Sequence, residues 1–527
     1  SIVATAVDSG DAGSDETHAV ILTASTGDVT IGAITSDSTL TIVATAGSIN
    51  DAGDDTTTDL TSTTNAIVLT AQDEIGGNAA VMSTDTAGAI EVAANSALDI
   101  SSTAAGGIVV SGAGALTLSD LDTVDGSITV SAAGALTATD VVAGGSTGDS
   151  VTLSTTTGGA VATLVTGADA VSITADAGDI TVGALTATAG TLGVTATTGS
   201  INDAADDNTG DFTAGGLITL TAQDEIGVLG SGSDTDLEFA AGSSVNVSTT
   251  GTGAIDLDGL GALTLSDVDT VNGAITVTSA GALTVTDVAS GTNGNISLTT
   301  TSGDITGLAT VNAGSGNVTL NSAGAIADDA SAATVVTGGV LTADAAGAIE
   351  IDSTVASADI STSAAGAVDL DETDAITLTD LDTTDGSITV DAGGALTVTD
   401  VASGTNGNIS LTTTSGDITG LATVNAGSGN VTLNSAGAIA DDASAATVVT
   451  GGVLTADAAG AIEIDSTVAS ADISTSAAGA VDLDETDGIT LTDLDTTDGA
   501  ITVDAGGLIT ATDVVAGGST GDSVTLS

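Results

Sequence analysis

The sequence predicts an all-β fold, a parallel β-solenoid with coils of about 20 residues. Three observations predict it. Apolar and polar residues alternate with period 2 in short runs. In Gly126-Ser-Ile-Thr-Val130, Ile128 and Val130 would face inward while Ser127 and Thr129 face outward. Each run opens on a small residue and soon recurs, as GAIDL at 253, GALTL at 261, GAITV at 273, GALTV at 281 and GNISL at 294. A short gap and a long gap together make roughly 20 residues, one coil. Finally, the apolar residues are almost all Ala, Val, Ile and Leu, with only Phe212 and Phe239 as aromatics. That suits many thin, similar layers better than one large globular core. No apolar run holds a 3.6 period over three turns, so helices are not expected.

Longer repeats lie above this rhythm. Residues 281–374 recur identically at 394–487, and 137–154 recur identically at 510–527. TAQDEIG at 70–76 returns at 221–227, and GALTLSDLDTVDGSITV at 114–130 returns as GALTLSDVDTVNGAITV at 261–277. The offsets are 113, 373, 151 and 147 residues. Residues 1–527 therefore read as one continuous solenoid segment of a longer chain, with near-identical sub-repeats at 281–393 and 394–506. A coil cannot bury its own apolar face, so stability is a sum of contacts between neighbours, and gain or loss of a coil is tolerated. At about 4.8 Å per coil, roughly 26 coils would make a rod of about 125 Å. A string of immunoglobulin-like sandwiches is the rival, since 113 residues is near one such domain. The unequal offsets and the missing Trp or Tyr anchors oppose it. Shortened spacing around Ala358, Gly366 and Asp374 marks a local irregularity.

Charge narrows the function. The 527 residues include 70 acids, one histidine and no Lys or Arg, for a formal net charge of −70. Hydrophobic residues still make up 41% of the chain, so it is not disordered by composition. Without Lys or Arg there is no phosphate neutralisation, so nucleic acid is excluded as a partner. Anionic membrane surfaces would repel the chain, and no apolar run is long enough to insert in one. Schiff-base chemistry and Lys–Asn isopeptide staples are excluded, and the absence of Cys excludes disulfides and thiolate metal sites. Trypsin-type cleavage sites are absent too, which suits exposure outside a cell. At about one charge per 1.8 Å of axis, the expected rod would be charged nearly as densely as duplex DNA. It would hold a diffuse layer of divalent cations such as Ca²⁺, with no cofactor required.

Runs such as GALTLSDLDTVDGSITVSAAGALTATD at 114–140 and GGVLTADAAGAIEIDSTVASADI at 338–360 resemble the haemagglutinin-type repeats of very large bacterial surface proteins, the filamentous-haemagglutinin-like adhesins. The resemblance is one of composition and rhythm and covers nearly the whole chain. It implies a right-handed parallel β-helix, and an extracellular, cell-surface rod or fibre for adhesion, cell–cell attachment or coat formation. Its partners would be other copies of itself or another cell surface. This chain departs from the pattern in lacking Lys, Arg and any visible secretion domain.

The candidate site residues are carboxylate clusters that precede a glycine. Asp120, Asp122 and Asp125 lead into Gly126. The pattern recurs as Asp267, Asp269 and Asn272, as Asp380, Asp382 and Asp385, and as Asp493, Asp495 and Asp498. It lacks the acid spacing and the twelfth-position Glu of an EF-hand. It reads either as a tight turn or as a turn that also collects loosely held cations. Leu121 and Val124 would point inward between the acids. A pair such as Asp482 and Asp484 could act on a glycoside. However, Asp369 and Asp371 repeat it in an identical copy, which suits a scaffold rather than an enzyme. His18 reads as a surface residue. Outward Thr rows leave ice or polysaccharide binding as further alternatives, although Thr is also a good strand former. Sequons at Asn246, Asn295, Asn317, Asn408 and Asn430 read in part as in-strand polar positions.

Overall fold

The computed structural model describes residues 1–527 except 11–16, 54–55, 65, 78–87, 146–147, 206–208, 228–235, 330–334, 443–447 and 519–521. The described residues form strands, turns and bends, with no helix. They make two compact units, Ser1–Gly273 and Ala274–Ser527. Each is a parallel β-solenoid with coils of roughly 21 residues, and the units together wind about 22 coils. That is fewer than 20-residue coils would give, because some coils carry excursions from the standard path.

The core follows directly from the alternation. In the first unit, Ile108, Ile128, Val151, Val171, Leu192, Ile218, Val245 and Leu265 stack in register through eight coils. All are buried. In the second unit, Ile349, Val368, Ile388, Ile409, Val431 and Leu454 do the same. Each such side chain contributes about 1.5–3 kcal/mol by leaving water, and only because the coils above and below cover it. Sandwich domains pair their strands antiparallel. Here partners are parallel and one coil apart, which rules out the tandem immunoglobulin-like arrangement.

The small residue that opens each run has a steric cause. A Cβ on Gly126 would collide with the carbonyl oxygen of Gly106. In the second unit the same collision runs up a column, with Gly366 against Gly347, Gly386 against Gly366, Gly407 against Gly386 and Gly429 against Gly407. Only glycine lets successive corners approach this closely.

The short coil near Ala358 is also explained. Leu341 stacks on Ala358, only 17 residues on. One uninterrupted strand, Ile349–Thr362, carries the chain through what is elsewhere a break between strands. A register shift between Ala358 and Asp359 absorbs the mismatch with the next coil.

Candidate cation sites

The clusters noted in the sequence sit on outward faces. Asp120 and Asp122 lie on the strand Leu116–Asp125, which Asp125 ends, and all three are exposed. Leu121 is buried between them as expected, but Val124 is 60% exposed. A bulge between Leu118 and Asp120 resets the alternation, so Thr123 takes the inward place instead. Its hydroxyl donates to the carbonyl of Gly126. Thr270 does so to Gly273 at 2.8 Å, Thr383 to Gly386 at 2.7 Å and Thr496 to Gly499 at 2.6 Å. The recurring motif is thus a corner pinned from inside by a buried threonine, with its acids turned out.

Stacking sets those acids against other acids. Asp120 is in register with Asp99, Asp380 with Asp359 and Asp493 with Asp472. Burial, then the charges of Asp120 and Asp140, raises the pKa of Asp122. Burial also raises Asp380, helped by Asp382 and Asp359, and raises Asp382, helped by Asp400 and Asp359. Asp495 is raised by burial and then by Asp493. Asp385 moves the other way, because it accepts from the Thr405 hydroxyl and the Asn406 N–H, both at 2.9 Å. Asp267 accepts from the Asn246 amide at 3.1 Å, and Asp269 is half-buried opposite Ser248. Asp498 is exposed at the end of the strand Ile489–Asp498.

The sequon asparagines are engaged in the stack. Asn295 Oδ1 accepts the Asn317 N–H, whose own Oδ1 accepts the Val340 N–H. Asn408, Asn430 and Val453 repeat the ladder. His18 is exposed, with Nδ1 3.5 Å from Asp37 Oδ2.

Among the described residues, three carboxylates bring ligand atoms within 4.8 Å of one another in two places, and neither involves those clusters. One place is Asp51, Asp59 and Glu91; the other is Asp203, Asp211 and Glu238. Both lie in the first unit and are built alike. The strand Val29–Ser36 goes from Ile31 to Ile34 in three residues. The coil stacked on it goes from Asp51 to Leu60 in nine. In the second copy, Val182 to Leu185 is matched by Asp203 to Phe212. Each excursion is therefore six residues longer than the path beneath it. An aspartate stands at either foot, and the next coil supplies the glutamate.

The local bonds fix this geometry. Asp51 Oδ1 accepts the Gly53 N–H at 2.8 Å, and Asp203 Oδ1 accepts that of Ala205 at 3.0 Å. The Glu91 N–H donates to Asp59 Oδ2 and the Glu238 N–H to Asp211 Oδ2, both at 3.1 Å. Asp59 is 4% exposed, Glu91 6% and Glu238 1%. Among the described residues, no N–H or hydroxyl donor reaches either carboxylate oxygen of Glu91 or of Glu238. Burial, with the adjacent aspartate second, drives the pKa of each glutamate strongly upward. Burial raises Asp59 as well. Beside the second site, Phe212 and Phe239 stack with ring centroids 5.1 Å apart, where the first has Leu60 against Val92.

The sequence signal for these sites is the recurrence of I-N-D-A-x-D-D-x-T-x-D at 49–59 and 201–211. That stretch does not show the site by itself, because the third acid follows Asp59 or Asp211 by 32 or 27 residues, within the matching stretches I-E-V-A-A-N-S at 90–96 and L-E-F-A-A-G-S at 237–243. An open acidic groove in the second unit, lined by Asp352, Asp371, Asp391 and Thr412 among others, contains one member of the Asp369–Asp371 pair. Both residues of that pair are exposed on the strand Val368–Glu372. Comparison with protein families, with characterised proteins and with solved structures finds no match to this chain.

Proposed function

We propose that this chain is structural: part of an extracellular, cell-surface rod or fibre that serves adhesion, cell–cell attachment or coat formation. Its partners are further copies of itself or another cell surface, joined through divalent cations held diffusely along its acidic faces. The observation that carries this reading is the in-register stacking of outward carboxylates. Asp352, Asp371 and Asp391 form one such row, and Asp465, Asp484 and Asp504 form its repeat. Seventy acids over about 22 coils put about three on each coil, with no Lys or Arg to neutralise them. Stacked like charges favour cations shared between coils or between molecules. Chemistry repeated coil after coil suits a scaffold with many weak, equivalent contacts.

Sedimentation and electron micrographs of the purified chain test this, in about 10 mM CaCl₂ and in NaCl of equal ionic strength. Calcium should produce side-by-side bundles, and surfaces coated with the chain should retain cells in calcium but release them in chelator. Dispersed particles in both salts, with no cell retention, would refute the reading.

A further inference from the structure

We propose that Asp51, Asp59 and Glu91, and separately Asp203, Asp211 and Glu238, are two equivalent binding sites for a hard divalent cation of the calcium class. This stands apart from the diffuse layer on the outer faces and does not depend on it.

Four observations converge. First, the ligand atoms of each triad all lie within 4.8 Å of one another. Oxygens around one Ca²⁺ at about 2.4 Å are at most about 4.8 Å apart. Second, both oxygens of Glu91 and of Glu238 are buried, with no N–H or hydroxyl donor among the described residues. A buried ionised carboxylate without a donor is among the most costly arrangements in a protein, so such groups are neutralised by a proton or a cation. Third, the chain offers no Lys or Arg, and its one histidine faces Asp37. The balancing charge must therefore come from solution. Fourth, the arrangement is built twice on different neighbours, aliphatic in one copy and aromatic in the other. Next to Asp203 in the chain, Asn202 Oδ1 is a further buried acceptor with no donor among the described residues.

The neighbouring bonds orient the ligands. At each site a backbone N–H at the foot of the excursion holds one aspartate, and the glutamate's own N–H holds the other. The excursion thereby brings together acids from two coils that stacking alone would leave on separate rungs. A bound cation would tie the foot of the excursion to the coil above it.

The test is Ca²⁺ binding to the full chain by equilibrium dialysis at about 0.5 M NaCl, where surface counterions are screened. The wild type should bind two ions saturably, Glu91→Gln and Glu238→Gln one each, and the double variant none. Asp120→Asn with Asp122→Asn should still bind two. Glutamine is isosteric and removes the buried charge, so the variants should fold; circular dichroism checks this. An independent measurement needs no variant. Luminescence lifetimes of bound Tb³⁺, a Ca²⁺ analogue, in H₂O and D₂O count the waters left on the ion. Ions in the triads should have lost several. No saturable binding, equal stoichiometry in the double variant, or Tb³⁺ with a nearly complete water shell would each overturn the proposal. The triads would then be proton-sharing carboxyl groups only.

Discussion

The two units bury glutamates in opposite ways. In the second unit, Glu372 takes an inward corner position at the end of its strand. Its Oε2 accepts the Ser353 hydroxyl at 2.7 Å and the Val355 N–H at 3.0 Å, and its Oε1 accepts the Asp374 N–H at 3.2 Å. Glu485 repeats this with Ser466, Val468 and Asp487. Burial still raises both pKa values, but these donors oppose the rise. In the first unit, Glu91 and Glu238 have neighbouring carboxylates and, among the described residues, no N–H or hydroxyl donors. The lesson is that burial by itself does not mark a site. A buried acid with a full set of donors belongs to the scaffold, whereas one without donors requires something from solution.

Calcium gives the largest expected separation between the units. If the triads bind like extracellular calcium modules, with Kd of about 10⁻⁴ M, then about 10 mM Ca²⁺ stabilises the first unit by roughly 2.7 kcal/mol per site. Calorimetry with and without chelator should show this shift at about 0.5 M NaCl, and Glu91→Gln with Glu238→Gln should abolish it. Next comes Glu372→Ala, which strands three donors and should cost roughly 2–3 kcal/mol in denaturant titrations. Glu91→Gln in chelator should cost nothing, because no donor is lost. Ser353→Ala removes one of the three donors and should cost about 1 kcal/mol. Replacing Phe212 by Leu and Phe239 by Val, as in the first triad, should lose about 1 kcal/mol of stacking while leaving both cations bound.

The smallest effect is that of pH on the outward-facing acids of the second unit. In the second unit, burial and then neighbouring acids raise the pKa values of Asp352, Asp371 and Asp484. A carboxyl with a raised folded pKa binds its proton more tightly folded than unfolded. Its stabilising contribution is present below the unfolded value near 4 and is lost as pH rises through the folded value. Low-salt melting temperatures should therefore fall from about pH 4 to pH 7, and less so in high salt, because these groups are largely exposed. A rise over that range would contradict the stacking of like charges.

Much of the fold is legible in the sequence because the signal is strictly local. Ile128 and Val130 alternate with polar neighbours, and small-residue starts mark each corner. The glycine columns give those starts a cause that only stacking reveals. Val124 shows the limit: period 2 places it correctly only if no bulge intervenes, and the pairing with the neighbouring coil shifts register after Leu118. The triads were illegible for a related reason. Asp51 and Asp59 flank an excursion whose length matters only against the coil below, and Glu91 arrives from the coil above. The stretch around Glu91 returns around Glu238 and differs from that around Glu372, but a local sequence does not show which glutamate lacks donors, because the donors belong to other residues.

Hydrogen–deuterium exchange with peptic digestion, which needs no basic cleavage site, tests the contrast between the units most directly. Added Ca²⁺ at about 0.5 M NaCl should slow exchange in the backbone around Asp59, Glu91, Asp211 and Glu238, where N–H groups bridge the coils of each triad. Exchange around Glu372 and Glu485 should not change. Equal slowing in both units, or no slowing in either, would contradict the distinction between glutamates that await a cation and glutamates already satisfied by the fold.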